Sequence, residues 1–465
     1  MKKLLKKIIW PLLCILLFLG AFGYSAHTKF IDLMGVGSGF SLQGAATDEK
    51  LNESEYSSEV IDIKYIKSDG TIDIRPIILY KPTGVDGDIP LIYIPHYAAD
   101  TKTADFVSYI KNGWAVASPH NFDTTYNGVL ETDSLVFNNA AFYSLRHLEG
   151  IEKQRIAIVG GSAGGYTSLM LNGLQMGITA GIANSPITNA YFNFKEYFPA
   201  ADKVNHQSPL FDFTMPTQGM VSKYFQPIND VIGDDYERWE AVSPISLAKT
   251  MSNPVVINHN TADILVPIDQ VTKRFTYDEN DGSLPKDFTA RLDESYPGIL
   301  GSSFEEMADP SQLHIEKYQF ENNMVTGSMP YSDKLITINI IDDGKISAKG
   351  SHNAPGLTGT MDIIPYLEEM FKLTLAETEQ LTSEKILMLF DRYQGKSIVL
   401  PAHENVDDTI YGSLALYQKE IIEHMQQYSQ LNSLEQLETA VQAAIQKSNE
   451  PDSLSKVWDE IKSQL

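Results

Sequence analysis

At 465 residues and 43% hydrophobic content, the chain has ample material for a core, which excludes a disordered polymer, and its length allows two or three domains. A formal net charge of −24, from 60 acidic against 36 basic residues, excludes nucleic acid as a partner, because no basic patch is present to meet phosphate. The single cysteine, Cys14, lies in the extreme N-terminal region, so a processed protein would hold no disulfide, thiolate metal site or cysteine nucleophile.

The first 25 residues carry Lys2, Lys3, Lys6 and Lys7, then an apolar run from Ile8 to Phe22, then small residues around Ala21, Gly23 and Ser25. This pattern predicts a signal peptide or an uncleaved signal anchor, and hence a protein that is extracellular or tethered to the outer face of the cell membrane. An apolar run of roughly 15 residues is short for a full span and suits cleavage. Residues 26–58 are polar and glycine-containing and read as a linker. Val60 to Ile66 then alternates apolar and polar, Ser68-Asp69-Gly70 supplies a turn, and Ile72 to Tyr80 alternates again, which predicts an antiparallel hairpin.

Ile89 to Pro95 lacks alternation, as a strand buried on both faces does, and ends in His96-Tyr97-Ala98-Ala99-Asp100. A helix over Thr103 to Lys111, a strand over Gly113 to Ser118 and a helix over Asn138 to Leu148 follow. Ile156 to Met170 (IAIVGGSAGGYTSLM) then reads as strand, sharp turn and helix, with Ser162 at the apex. A nucleophile on such a turn needs neighbours with almost no side chain, and Gly160 and Gly164 supply them. The backbone N–H of Ala163, at the positive end of the following helix, faces the place where an oxyanion would form.

Ile178 to Ala183 is a further buried strand. Tyr191 to Asp235 breaks the rhythm with many aromatics and four prolines, and residues 190–235 read as a lid insert that lines a substrate site. Pro254 to Asn258 resumes as a strand and leads into His259-Asn260-Thr261-Ala262-Asp263, with Val266-Pro267 after it. A second insert covers 277–331, Leu335 to Ile341 is the last strand, and Gly350-Ser351-His352-Asn353 precedes a helix from Met361 to Leu373. Residues 376–465 show helical periodicity with glutamine and glutamate on the polar faces, and read as a helical extension. Strands alternating with helices predict an α/β domain over 59–375, with a mostly parallel sheet covered by helices on both faces.

A serine hydroxyl needs a base within hydrogen-bond reach and a group that orients the base. The residues able to do this should directly follow strands, because strand-end loops converge at the C-terminal edge of a parallel sheet. Asp263 does so as the orienting acid, with Asp269 nearby and less well placed. The order serine, acid, histidine leaves His314, His352, His403 and His424 as bases, and His352 alone follows a strand beside a glycine. His259, in the same loop as Asp263, reads as structural. A second oxyanion donor is expected from Tyr97 or Ala98, the former through its backbone N–H or its phenolic O–H. Asp278 to Gly282 lacks the spacing of a calcium loop, and no metal or cofactor is expected.

These residues resemble the catalytic domain of the prolyl oligopeptidase family of serine hydrolases, over roughly Val60 to Leu373. The family's Gly-x-Ser-x-Gly-Gly-Tyr turn is matched by Gly160 to Tyr166. Its acid loop is matched by His259, Thr261, Ala262, Asp263, Val266 and Pro267, its oxyanion tyrosine by Tyr97 before Ala98 and Ala99, and its histidine by His352. Asn260 stands where glycine is usual, and the second insert lengthens the interval from Asp263 to His352. The resemblance implies the α/β-hydrolase fold, with Ser162, Asp263 and His352 as triad and Ala163 and Tyr97 as oxyanion donors. It also implies small peptide substrates. Residues 26–58 are too short for the N-terminal propeller of many such peptidases, which leaves carboxylic esters open as substrates. A non-catalytic binding protein on a hydrolase scaffold is the rival of another class.

Overall fold

The computed structural model describes residues 40–41, 44–45, 47–66, 72–120, 132–174, 180–200, 226–251, 253–261, 263, 265–275, 291–321, 324–325, 329–342 and 363–372, with four isolated positions beyond residue 440. The N-terminal segment 1–25, most of the linker, His352, and nearly all of 376–465 lie outside these residues, as do 201–225 of the first insert and 277–290 of the second.

Two short strands, β1 (Phe40–Ser41) and β2 (Gly44–Ala45), pair as a separate ribbon. The expected hairpin is present as β3 (Tyr56–Ile66) and β4 (Ile72–Pro82), antiparallel from Tyr56 opposite Pro82 to Ile66 opposite Ile72. Its odd-numbered residues Ile63, Tyr65, Ile77 and Leu79 are buried, while Val60, Ile72 and Ile74 on the other face are exposed. The parallel part follows with β5 (Ile89–Tyr93), β6 (Ala115–Pro119), β7 (Ile151–Gly161), β8 (Ala180–Asn184), β9 (Val255–Asn260), β10 (Leu313–Glu321) and β12 (Ile336–Asp342), while the short β11 (Met324–Val325) pairs antiparallel with β10. Among the described residues these form one ten-stranded sheet in the order β11-β10-β12-β9-β8-β7-β5-β6-β4-β3. All neighbours from β6 to β10 run parallel, and β4 is antiparallel to both β3 and β6.

Helices cover both faces because the strand sequences are apolar on both. In β5, Leu91 and Tyr93 join one buried cluster with β3, β4 and α2 (Thr132–Arg146), whereas Ile92, with Ile94 just after the strand, joins another with α1 (Ala104–Lys111) and α7 (Ile363–Phe371). The helix after the serine turn is α3 (Ala163–Leu174), buried throughout. This sheet order, with an antiparallel second strand and the crossover that places β6 outside β5, is the α/β-hydrolase fold, as expected.

Several boundaries differ for definite reasons. The helix expected from Asn138 begins at Thr132, and Asn138 lies inside it, where its Oδ1 accepts a hydrogen bond from the buried Tyr93 hydroxyl at 2.8 Å. The second insert is more than a loop, since β10 extends the sheet beyond β12, with Leu313 and Ile315 packed against the core. In the first insert, Tyr191–Tyr197 forms a π-helical segment whose Phe192, Phe194 and Tyr197 fill the core beside Trp239 of α5 (Tyr236–Ala241), which follows α4 (Gln226–Ile232). The second insert leans on the first: Tyr296 meets Tyr191 edge to face at 5.3 Å, and Asn189 Nδ2 donates to the Leu300 carbonyl at 2.7 Å, just before α6 (Phe304–Met307).

Candidate active site

Ser162 sits between β7 and α3 with φ +53°, a left-handed conformation that a non-glycine residue adopts only where its surroundings enforce it. Enforcement is visible on both sides. The Ser162 N–H donates to the Asn184 carbonyl of the neighbouring strand at 2.7 Å, and its own carbonyl accepts from Tyr166 N–H at 2.8 Å, which starts the helix. The turn is so tight that a Cβ at Gly160 would lie 2.3 Å from the Gly164 carbonyl oxygen, and one at Gly164 would lie 2.9 Å from the Pro95 carbonyl oxygen. The two glycines therefore answer to close backbone approach. Ser162 remains 9% exposed, so its side chain is held by the wall and still reachable.

The loop after β5 approaches this turn from the side. His96 has φ +72°, and its ring meets that of Tyr97 edge to face at 4.4 Å. The Tyr97 N–H donates to the Pro95 carbonyl at 2.9 Å, and the phenolic O–H is the residue's other donor. That hydroxyl is hydrogen-bonded to the Ser162 side chain and accepts from the backbone N–H of Ala163. Burial pushes the phenol up to about 12, with both hydrogen bonds opposing, so at neutral pH it is a protonated donor. Burial also lowers His96 to about 4, so its ring is neutral. Ala98 follows on the same loop, and beyond it the Ala99 N–H is anchored to Ser118 Oγ at 2.9 Å.

Asp263 follows β9 and is fully buried. Its Oδ1 accepts from the N–H groups of Leu265 and Val266, both at 2.9 Å, which fixes the carboxylate in the loop that carries it. His259 closes the same loop: its Nε2 lies 2.7 Å from the Val266 carbonyl, an acceptor only, so this nitrogen carries the proton. Nε2 is also 3.7 Å from Asp263 Oδ2. His259 is thus a clamp, as its sequence setting suggested. Asp269 is buried, with Oδ2 4.0 Å from Arg291 Nη1. Burial raises its carboxyl to about 6 although Arg291 and Lys273 oppose the shift.

His314 begins β10, which runs parallel to β12, so it stands at the edge opposite the serine turn. Four strand steps separate β10 from β7, roughly 19 Å across the sheet. Its ring instead faces Glu316 at 3.3 Å. His352, His403 and His424 lie outside the described residues. β12 ends at Asp342 on the same edge as Ser162 and Asp263, and the next described element is α7, from Ile363.

One residue of the aromatic-rich insert 190–235 comes close to the acid loop. Tyr197, from the first insert, is buried where its hydroxyl feels the charges of Asp263, Asp269 and Arg291. Among the described residues, no group of three or more His, Cys, Asp or Glu side chains assembles as a metal site requires, and no helix is long and apolar enough to cross a membrane.

Residues 96–276, which include Ser162 and Asp263, match the family described as BD-FAE. No curated protein matches the chain. Solved structures similar to it include the acylaminoacyl peptidase of Pyrococcus horikoshii, at 14% identity over 64% of this chain and 40% of that one, with a TM-score of 0.39. Oligopeptidase B of Leishmania major is similar at 14% identity over 46% of this chain and 30% of that one, TM-score 0.33. Prolyl oligopeptidase B of Galerina marginata is similar at 17% identity over 47% and 30%, TM-score 0.35. The chain therefore spans 40% or less of the length of each of these three enzymes.

Proposed function

From an α/β-hydrolase body that carries a strained serine beside two convergent donors, we infer that the protein is a serine hydrolase acting through an acyl-enzyme. The observation that carries the reading is the contact of Ser162 Oγ with the Tyr97 hydroxyl, which also receives the Ala163 N–H. A carbonyl oxygen that enters here and displaces the phenol from Ala163 meets an N–H and an O–H together.

In the proposed reaction, Ser162 Oγ attacks the carbonyl carbon while His352 accepts the hydroxyl proton and Asp263 holds the imidazole. The negative charge that develops on the carbonyl oxygen falls between Ala163 N–H and Tyr97 O–H. Collapse of this intermediate breaks the bond to the leaving group, which takes the proton from His352, and water then repeats the sequence on the acyl-serine. Asp263 sits two strand steps from the serine strand, roughly 10 Å of sheet, an interval that inward-leaning side chains and one imidazole can bridge.

The substrates proposed are small peptides, cleaved in the manner of a serine peptidase, or small carboxylic esters. Rates on aminoacyl p-nitroanilides and on p-nitrophenyl esters, measured side by side, separate the two. Loss of both activities in Ser162→Ala and in His352→Ala supports the reading; a wild-type protein inactive on every acyl substrate that still binds a partner favours a non-catalytic role. The lysine-flanked apolar run at residues 1–25 supports export, with the hydrolase outside the cell or tethered by that run. N-terminal sequencing of protein recovered from medium and from membranes tests this.

A further inference from the structure

Three neighbouring strands in the middle of the sheet each carry an asparagine at one level: Asn184 in β8, Asn258 in β9 and Asn339 in β12. Strand register sets them side by side, Asn184 opposite Asn258 and Asn258 opposite Asn339. Their side chains form a ladder. Asn339 Nδ2 donates to Asn258 Oδ1 at 2.9 Å, and Asn258 Nδ2 donates to Asn184 Oδ1 at 2.8 Å. Asn258 and Asn339 are fully buried and Asn184 nearly so. Buried amides are costly unless bonded, and apolar side chains would fill the same space without that demand. Their placement therefore calls for an explanation.

The explanation lies in what each rung holds. Asn184 opposite Asn258 is the last paired position of β8 and β9, where the twist and splay of the two strand ends set the heights of the loops that follow. The Asn184 carbonyl receives the Ser162 N–H at 2.7 Å, and the Asn258 carbonyl receives the Ser185 N–H at 2.8 Å. The residue after Asn258 is His259, the clamp of the acid loop. Asn339 lies three residues before β12 ends and the connection containing His352 begins, and the Tyr366 hydroxyl of α7 lies beside it.

We propose that the Asn184, Asn258 and Asn339 ladder is a positioning device that fixes the relative heights of the serine turn, the acid loop and the base-bearing connection. These asparagines touch no reacting atom; they act through the main chain of Ser162 and through the ends of β9 and β12. The proposal rests on the serine hydrolase reading.

The test follows phosphonylation of Ser162 by a fluorophosphonate over time in wild type, Asn258→Leu and Asn339→Leu, with p-nitrophenyl ester kinetics alongside. Amplitude reports the fraction of folded, competent molecules, and the rate constant reports the alignment of each. Since an ångström of misplacement can cost about a hundredfold, Asn258→Leu, which removes both rungs, should lower the labelling rate constant and kcat about tenfold or more. KM should stay within about twofold and amplitude should be unchanged, with Asn339→Leu intermediate. If Asn258→Leu does not fold, Asn258→Ser, which keeps a polar group in less volume, carries the same comparison. A lower amplitude with a wild-type rate constant would reduce the ladder to a stability element and overturn the proposal alone. A wild-type protein that takes no label would overturn the hydrolase reading and the ladder with it.

Discussion

Removing the Tyr97 hydroxyl separates its chemistry from its packing. In Tyr97→Phe the ring keeps its edge contact with His96 and its place over the Gly164 backbone, so the fold should persist. What is lost is the only donor that Tyr97 offers, because its backbone N–H is already bonded to Pro95. Loss of one oxyanion donor typically costs about 3–4 kcal/mol, or roughly 10²–10³ in kcat, and Ala163 N–H is left to act alone. The donor is made in the transition state, so KM should change by no more than about threefold. Burial holds the phenol at about 12, so the loss should be constant from pH 6 to 9 instead of following a titration. The assay is kcat and KM on a p-nitrophenyl ester across that range. A kcat within about threefold of wild type would refute the assignment of the phenol to the oxyanion.

Three further outcomes follow from the same geometry. Gly160→Ala forces a Cβ against the Gly164 carbonyl, so it should cost more than about 3 kcal/mol in urea unfolding and abolish labelling; an active, stable variant would contradict the tight turn. His352→Ala should lower kcat by on the order of 10³ or more while His314→Ala leaves it unchanged, because His314 stands at the opposite sheet edge; the reverse result in steady-state rates would reassign the base. The Asp269 carboxyl, raised to about 6 by burial, binds its proton more tightly in the folded than in the unfolded chain. Its contribution therefore falls as pH rises from the ordinary carboxyl range through about 6, by on the order of 2 kcal/mol. Asp269→Asn should lose less stability than wild type between pH 4.5 and 7.5, and parallel unfolding curves would remove this account.

Much of the fold was legible because its strands announce themselves. Ile89 to Tyr93 and Val255 to Ile257 are apolar without alternation, as buried parallel strands must be, and the Asp69-Gly70 turn marked the hairpin. The serine turn was legible because close backbone approach at Gly160 and Gly164 admits almost nothing but glycine. Features that depend on partners far along the chain were not. Asn138 looked like a helix start until Tyr93 supplied its buried partner. The strand Leu313–Glu321 was hidden inside an insert because it is recognisable only once β12 lies beside it. The three asparagines did share a visible signal, each following a short apolar run (Ile182-Ala183-Asn184, Ile257-Asn258, Ile338-Asn339), but their common level appears only with the register.

The proposed chemistry depends most directly on the reactivity of one hydroxyl. Peptide mapping by mass spectrometry after fluorophosphonate treatment should find a single adduct, on Ser162, in the full-length protein, and none in Ser162→Ala. An adduct elsewhere, an equal yield in Ser162→Ala, or no adduct on folded wild-type protein would contradict it.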